Sequence, residues 1–164
     1  QLFKRAGFEV SALTGKKSEA EAYLKMLGAD EVLDRHELDM GSKPMEAARF
    51  GGAVDNLGGE TLAGLTRVVK PWGNIGSIGL AQGFELKTTV MPFILRGVSL
   101  LGIHSVEVPR AWRLDIWDKL AGDWKPKNLQ DIVRRTISLD EVPAACEELM
   151  AASVQGRYVV KIGD

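Results

Sequence analysis

A single cysteine, Cys146, stands among 164 residues, so neither an intramolecular disulfide nor a cysteine-rich metal knuckle can form within the chain. No apolar run reaches the about 18 residues that a membrane-spanning helix needs, because Gly, Arg or Pro interrupts each one. No charge of one sign dominates: 21 Lys and Arg face 22 Asp and Glu, without the basic excess that holds a nucleic-acid backbone or an anionic membrane. The first residues lack the basic-then-apolar layout of a secretory leader, and the chain reads as cytoplasmic. An initiator methionine is also missing. Leu2, Phe3 and Ala6 lie at helical spacing ahead of Gly7, as in a helix entered part-way along, so the sequence is expected to be a piece of a longer polypeptide. What is present is 45% hydrophobic and 26% charged, the composition of one globular domain with a buried core.

Strand and helix patterns alternate along the chain. Residues 9–13 alternate apolar and polar and end in Thr14-Gly15-Lys16-Lys17, a short strand running into a turn. A helix follows, with Ser18 and Glu21 at capping-box spacing, Ala20, Tyr23, Leu24 and Leu27 on one face, and Gly28 as a left-handed stop. Residues 31–33 read as a strand, residues 44–50 as one or two helical turns, and residues 53–57 as a strand. Gly58-Gly59 then turns the chain into a helix carrying Leu62, Leu65, Thr66 and Val69. Residues 74–79 form a glycine-rich apolar strand, residues 91–95 a short helix, and residues 98–103 another strand. Pro109 opens a helix whose Trp112, Ile116, Trp117 and Leu120 are expected to be its buried stripe. A strand at 132–139 precedes a helix capped by Asp140, with Val142, Ala145, Cys146 and Leu149 on its apolar face, and a strand at 158–162 closes the chain. Cys146 is accordingly expected in the core and not as a reactive thiolate. This alternation predicts an α/β fold with a parallel sheet, since parallel strands need crossover connections.

Two constellations could carry chemistry. Thr14, Lys16 and Lys17 sit at the carboxyl end of the first strand, where a doubly wound sheet receives the adenosine ribose of a dinucleotide. An acid there would take the 2′-hydroxyl of NAD; a hydroxyl and two ammonium groups suit a 2′-phosphate. Two lysines in a turn are also common as plain solvated surface. The second set is Gly58-Gly59 and Gly76-Ser-Ile-Gly79, where bare backbone admits a flat ligand or simply a tight turn. A G-x-G-x-x-G fingerprint is absent, as expected if it lies upstream. His104 ends a strand without an assignable carboxylate, His36 lies in a polar loop, and Trp112, Trp117 and Trp124 read as core or interface residues.

Thr14-Gly15-Lys16, the stretch at 23–29, Ala53-Val-Asp55 with Gly58-Gly59, Gly76-Ser-Ile-Gly79-Leu80-Ala81, and Pro92 through Ile103 with Ser105-Val106 together resemble the medium-chain dehydrogenase/reductase superfamily. Within it they are most similar to the zinc-independent quinone oxidoreductase branch that includes NADPH-dependent acryloyl-CoA reductases. His104 departs from the acid expected in that branch.

The resemblance implies a Rossmann-type doubly wound parallel sheet, truncated before its first strand and Gly-rich turn. Residues 1–156 would be a partial NADPH-binding domain, and residues 157–164 a strand returning toward an upstream substrate domain. It further implies that Thr14, Lys16 and Lys17 meet the 2′-phosphate of NADPH, that Gly58, Gly79 and Leu80 line the cofactor cleft, and that backbone around Ile103 and Ser105 holds the nicotinamide carboxamide. The parent would reduce a small-molecule enoyl thioester or quinone without metal, nucleic acid or membrane. Its catalytic residues are not assignable within this chain. It would form a homodimer through the uncharged strand Val98, Ser99, Leu100, Leu101, Gly102 and Ile103. Two other readings stand beside this one: a catalytically inactive nucleotide-binding or dimerisation module, and a zinc-dependent alcohol dehydrogenase whose ligands lie upstream.

Overall fold

A computed structural model describes residues 1–163. In chain order the elements are α1 (Leu2–Arg5), β1 (Ser11–Thr14), α2 (Lys17–Met26), β2 (Glu31–Asp34), β3 (Ala53–Asp55), α3 (Gly59–Val68), β4 (Asn74–Ser77), α4 (Met91–Arg96), β5 (Ser99–Gly102), α5 (Arg110–Ala121), β6 (Val133–Ile137), α6 (Val142–Met150) and β7 (Arg157–Val160). Every ladder is parallel: β1 with β2, β3 with β4, β4 with β5, and β6 with β7. Each pair is joined through a helix, the crossover that parallel pairing demands. The fold is α/β, as expected, and β1 and β3 belong to separate sheets. Among the described residues no helix is long and apolar enough to cross a membrane.

The chain divides into two units. One comprises Gln1–Leu38 with Leu114–Asp164, the other Asp39–Arg113. In the second unit the order is β3-β4-β5, with β5 at an edge. Its core joins Leu62, Leu65 and Val69 to Ile75 and Val98, the helix contributing residues three and four apart and the strand its inward positions. Deep burial of α3 places Thr66 in this interior, where its hydroxyl donates to the Ala63 carbonyl at 2.7 Å, satisfying a polar group that would otherwise be costly. Pro92 in the first turn and Gly97 in the left-handed region at the end set the limits of α4. In the first unit the buried apolar residues are Val32, Ile137 and Ala145.

Several local expectations are corrected. Helix α2 starts at Lys17, with Lys16 as its N-cap and no side-chain cap; Ser18 is already inside the helix, and Glu21 pairs with Lys25 at 2.8 Å instead. Residues 44–50 are not helical, because their backbone is bonded sideways: Glu46 N–H to Arg67 O (3.0 Å), Arg49 N–H to Val68 O (2.7 Å) and Lys70 N–H to Phe50 O (2.8 Å). Asp140 caps nothing. Ser138 and Glu141 form the capping box, over a 3₁₀ turn that leads into α6. Cys146 is exposed, since only Ala145 on that helix turns fully inward. The stripe on α5 is largely uncovered: Trp112 is 68% and Trp117 62% exposed, Ile116 is exposed and only Leu120 is half-buried; Trp124, just beyond the helix, is exposed too. Helical spacing shows that a face is apolar, not that this chain supplies its cover.

Candidate functional site

In the first unit, parallel pairing sets Thr14 beside Asp34, so the ends of β1 and β2 open side by side. The Thr14 Oγ1 accepts the Lys16 N–H at 3.1 Å, a local turn bond that orders the entry to α2. Thr14, Lys16 and Lys17 are half-buried. The residues just after β2 complete the group. A methyl group on Gly15 would lie 3.0 Å from the Arg35 guanidinium and 3.3 Å from the His36 Nε2, so both side chains reach the bare backbone of the β1 turn. Asp34 is the acid of this neighbourhood, and one carboxylate oxygen is engaged by the His36 N–H at 2.8 Å. Glu9 precedes the opposite end of β1. The donor set of one hydroxyl, two ammonium groups and a guanidinium fits a phosphate monoester. Arg35 and His36 were not assigned to this site from the sequence; the signal was that they follow the strand parallel and adjacent to β1.

In the second unit Gly58, Gly79, Leu80, Ile103 and Ser105 all follow the carboxyl ends of β3, β4 and β5. The loops are tied together by Ile78 N–H to Asp55 O (2.9 Å), Gln82 N–H to Leu57 O (2.8 Å) and Ile103 N–H to Ser77 O (3.0 Å). Beneath them lies Asp55, only 2% exposed. Its carboxylate accepts the Gly58 N–H at 2.9 Å and the Leu57 N–H at 3.3 Å. That anchor holds Gly58 at φ 68°, the N-cap of α3, and the Gln82 Oε1 accepts the Thr61 N–H at 3.0 Å in the helix's first turn. Asp55 and Gln82 carried no functional expectation.

The glycines have an internal explanation. A side chain on Gly58 would collide with the Gly83 carbonyl, and one on Gly79 with the Asn56 carbonyl. The turn's own backbone therefore requires them. Leu80 and Ile103 present exposed apolar side chains beside these loops. At the end of β5 the Ile103 N–H is taken by Ser77, the Ser105 N–H by the Ile103 carbonyl at 3.1 Å, and the Ser105 carbonyl by Arg113 at 3.0 Å. The His104 backbone N–H and C=O have no hydrogen-bond partner among the described residues. Its ring Nε2 lies 3.3 Å from the Glu107 carboxylate, a pairing that sequence alone could not place. Among the described residues no group of three or more His, Cys, Asp or Glu could hold a metal ion.

The sequence profile of the zinc-binding dehydrogenase family matches residues 1–121. The chain belongs to this family, as the Rossmann part of the medium-chain dehydrogenase/reductase superfamily. YhfP of Bacillus subtilis, named as a quinone oxidoreductase, is 42% identical over 162 residues, covering 98% of this chain and 49% of that protein. Its crystal structure with NAD bound matches with a TM-score of 0.92. The acrylyl-CoA reductase AcuI of Ruegeria pomeroyi is 39% identical, covering 98% of this chain and 48% of the other. The yhdH oxidoreductase of Salmonella enterica, solved in complex with NADP, is 38% identical with a TM-score of 0.92, covering 99% of this chain and 49% of its own. The chain thus spans about half the length of the relatives it matches.

Proposed function

We propose that this chain is the NADPH-binding part of a reductase acting on an activated alkene such as acryloyl-CoA, or on a quinone. The observation that supports the proposal is the approach of the Arg35 guanidinium to Gly15, the turn that Thr14, Lys16 and Lys17 flank, with one oxygen of the neighbouring Asp34 carboxylate bonded to the His36 N–H. The Salmonella enterica relative solved with NADP supports the same cofactor. NADPH, when bound, supplies a hydride to the substrate. This chain's residues bind and orient. Lys16, Lys17 and Arg35 hold the 2′-phosphate, the Asp55-anchored Gly58 turn and the Gly79-Leu80 loop line the cleft, and the free His104 amide and carbonyl are the groups at the Ile103 to Ser105 bend that can meet a carboxamide. Positioning and electrostatics are therefore the protein's contribution in this part of the molecule.

The same reading makes residues 157–164 a strand returning toward an upstream substrate domain, the reaction zinc-independent, the setting cytoplasmic, and the edge strand at 98–103 the seam of a homodimer. Steady-state kinetics of the complete protein, with NADPH or NADH against acryloyl-CoA and a quinone series, tests the function. NADPH-dependent turnover of one of these classes is expected; oxidation of alcohols that depends on added zinc, with no alkene or quinone reduction, would overturn it.

A further inference from the structure

The bend after β5 is held from two sides. Upstream, the Ile103 N–H donates to the Ser77 carbonyl at 3.0 Å, which ties the bend to the end of β4. Downstream the anchor is a side chain: the Arg113 Nη2 donates to the Ser105 carbonyl at 3.0 Å and to the Val106 carbonyl at 2.8 Å. One nitrogen of a planar, rigid fork serves two consecutive carbonyls. Because each carbonyl shares a plane with the N–H of the next residue, bonding both fixes two successive peptide units at once. Between the anchors the Ser105 N–H closes the turn on the Ile103 carbonyl at 3.1 Å.

The helix itself does not account for Arg113. Its N–H bonds the Pro109 carbonyl at 3.0 Å in the opening turn of α5, where a cation opposes the helix dipole. That turn holds no acid, and Arg113 has no salt-bridge partner among the described residues. What its guanidinium serves is the pair of loop carbonyls. Side chains on a helix lean toward its N-terminus, which carries the fork back over residues 105 and 106. Bend and arginine both lie in the second unit.

His104 sits inside this doubly anchored turn. Its ring is paired with the Glu107 carboxylate at 3.3 Å, while its backbone N–H and C=O have no hydrogen-bond partner among the described residues. A carboxamide presents the complementary pair, an oxygen that accepts and an amide nitrogen that donates. A donor and an acceptor fixed before the ligand arrives bind it without the cost of ordering a loop.

We propose that Arg113 is a positioning residue for the nicotinamide end of the cofactor, holding the 104–106 bend so that the His104 peptide groups stand ready for the carboxamide. The inference rests on the reading of this chain as NADPH-binding. Calorimetry on the complete protein tests it with two probes, NADPH and adenosine 2′,5′-bisphosphate, which carries the 2′-phosphate but lacks the nicotinamide.

Arg113→Met should weaken NADPH binding about tenfold and leave the bisphosphate unchanged. Arg113→Lys, which can still donate to a carbonyl but without the fork, should fall between the parent and Arg113→Met. Thermal melts confirm that both variants fold, and a general loosening of the structure would weaken the two probes together. Equal loss for both probes, or unchanged NADPH binding in Arg113→Met, would overturn the inference. A parent protein that binds neither probe refutes the cofactor reading itself.

Discussion

Removing the Asp55 carboxylate tests the frame beneath the candidate cleft most directly. In Asp55→Ala two backbone donors lose their acceptor. The Gly58 amide is buried, with its bond of 2.9 Å, so its loss costs roughly 1.5–3 kcal/mol, as for a bond to a charged group with the donor left dry. The Leu57 amide is half-buried and its 3.3 Å bond is longer, so water recovers most of it and the cost is roughly 0.5–1 kcal/mol. Together the loss is about 2–4 kcal/mol, and with a urea slope of about 2 kcal/mol/M the unfolding midpoint should fall by roughly 1–2 M. Asp55→Asn keeps one acceptor oxygen and should lose about half as much. Because the freed turn is the one that holds Gly58 at positive φ, NADPH affinity should fall in both variants at urea concentrations where they remain folded. Equilibrium unfolding and cofactor titration read the two effects. An Asp55→Ala midpoint within error of the parent, with unchanged cofactor affinity, would refute the anchoring role.

Lys16→Ala/Lys17→Ala should cut the preference for NADPH over NADH in kcat/KM by tenfold or more, since each ionic bond to phosphate contributes roughly 1.5–3 kcal/mol; unchanged discrimination sinks the assignment. Arg35→Ala should act in the same direction, with KM for NADPH rising while KM for NADH stays put. The Asp30 carboxyl is held below its usual range by its hydrogen bond from Lys4 and then by the Val10 amide. Its stabilising contribution is therefore present above the unfolded-state pKa of about 3.9 and disappears as pH falls through the depressed folded value. Asp30→Asn should accordingly be less stable than the parent at neutral pH, with the gap narrowing as pH falls through the depressed folded value; a gap that does not narrow in acid contradicts this. Gly102→Pro removes an N–H that faces the open side of β5, since the alternate N–H groups of Ser99 and Ile103 are the ones bonded toward β4, and should convert a dimer to monomers by light scattering; a dimer that survives it joins through another surface.

The order of strands and crossover helices was readable because the short apolar runs are separated by Gly, Pro or capping residues. Gly28 and Gly97 mark helix ends at positive φ, and Gly58 at positive φ marks the start of α3. Residues 44–50 were not readable, because their backbone bonds to Arg67, Val68 and Lys70, partners far along the chain. The exposed stripe of α5 and the exposed Cys146 share another cause: periodicity reports polarity around a helix axis, and what covers the apolar side is a tertiary fact. At the candidate site Thr14, Lys16 and Lys17 could be chosen by their place at a strand end. Arg35 could not, since its approach to Gly15 depends on the register that sets Thr14 beside Asp34. Asp55 belongs to a motif visible in the sequence, but its role follows from a turn geometry that sequence spacing does not encode.

The collision that any side chain on Gly58 or Gly79 would make with the chain's own carbonyls bears on how such sequences diverge. Folding alone retains these two glycines. A descendant that abandoned its cofactor would keep both of them while Lys16, Lys17 and Arg35 drifted, since nothing in the turn's backbone holds those three in place. On the proposed role of Lys16, Lys17 and Arg35 at the cofactor's phosphate, inheritance of the glycine pair traces the ancestry of the scaffold and inheritance of those cations the ancestry of the chemistry.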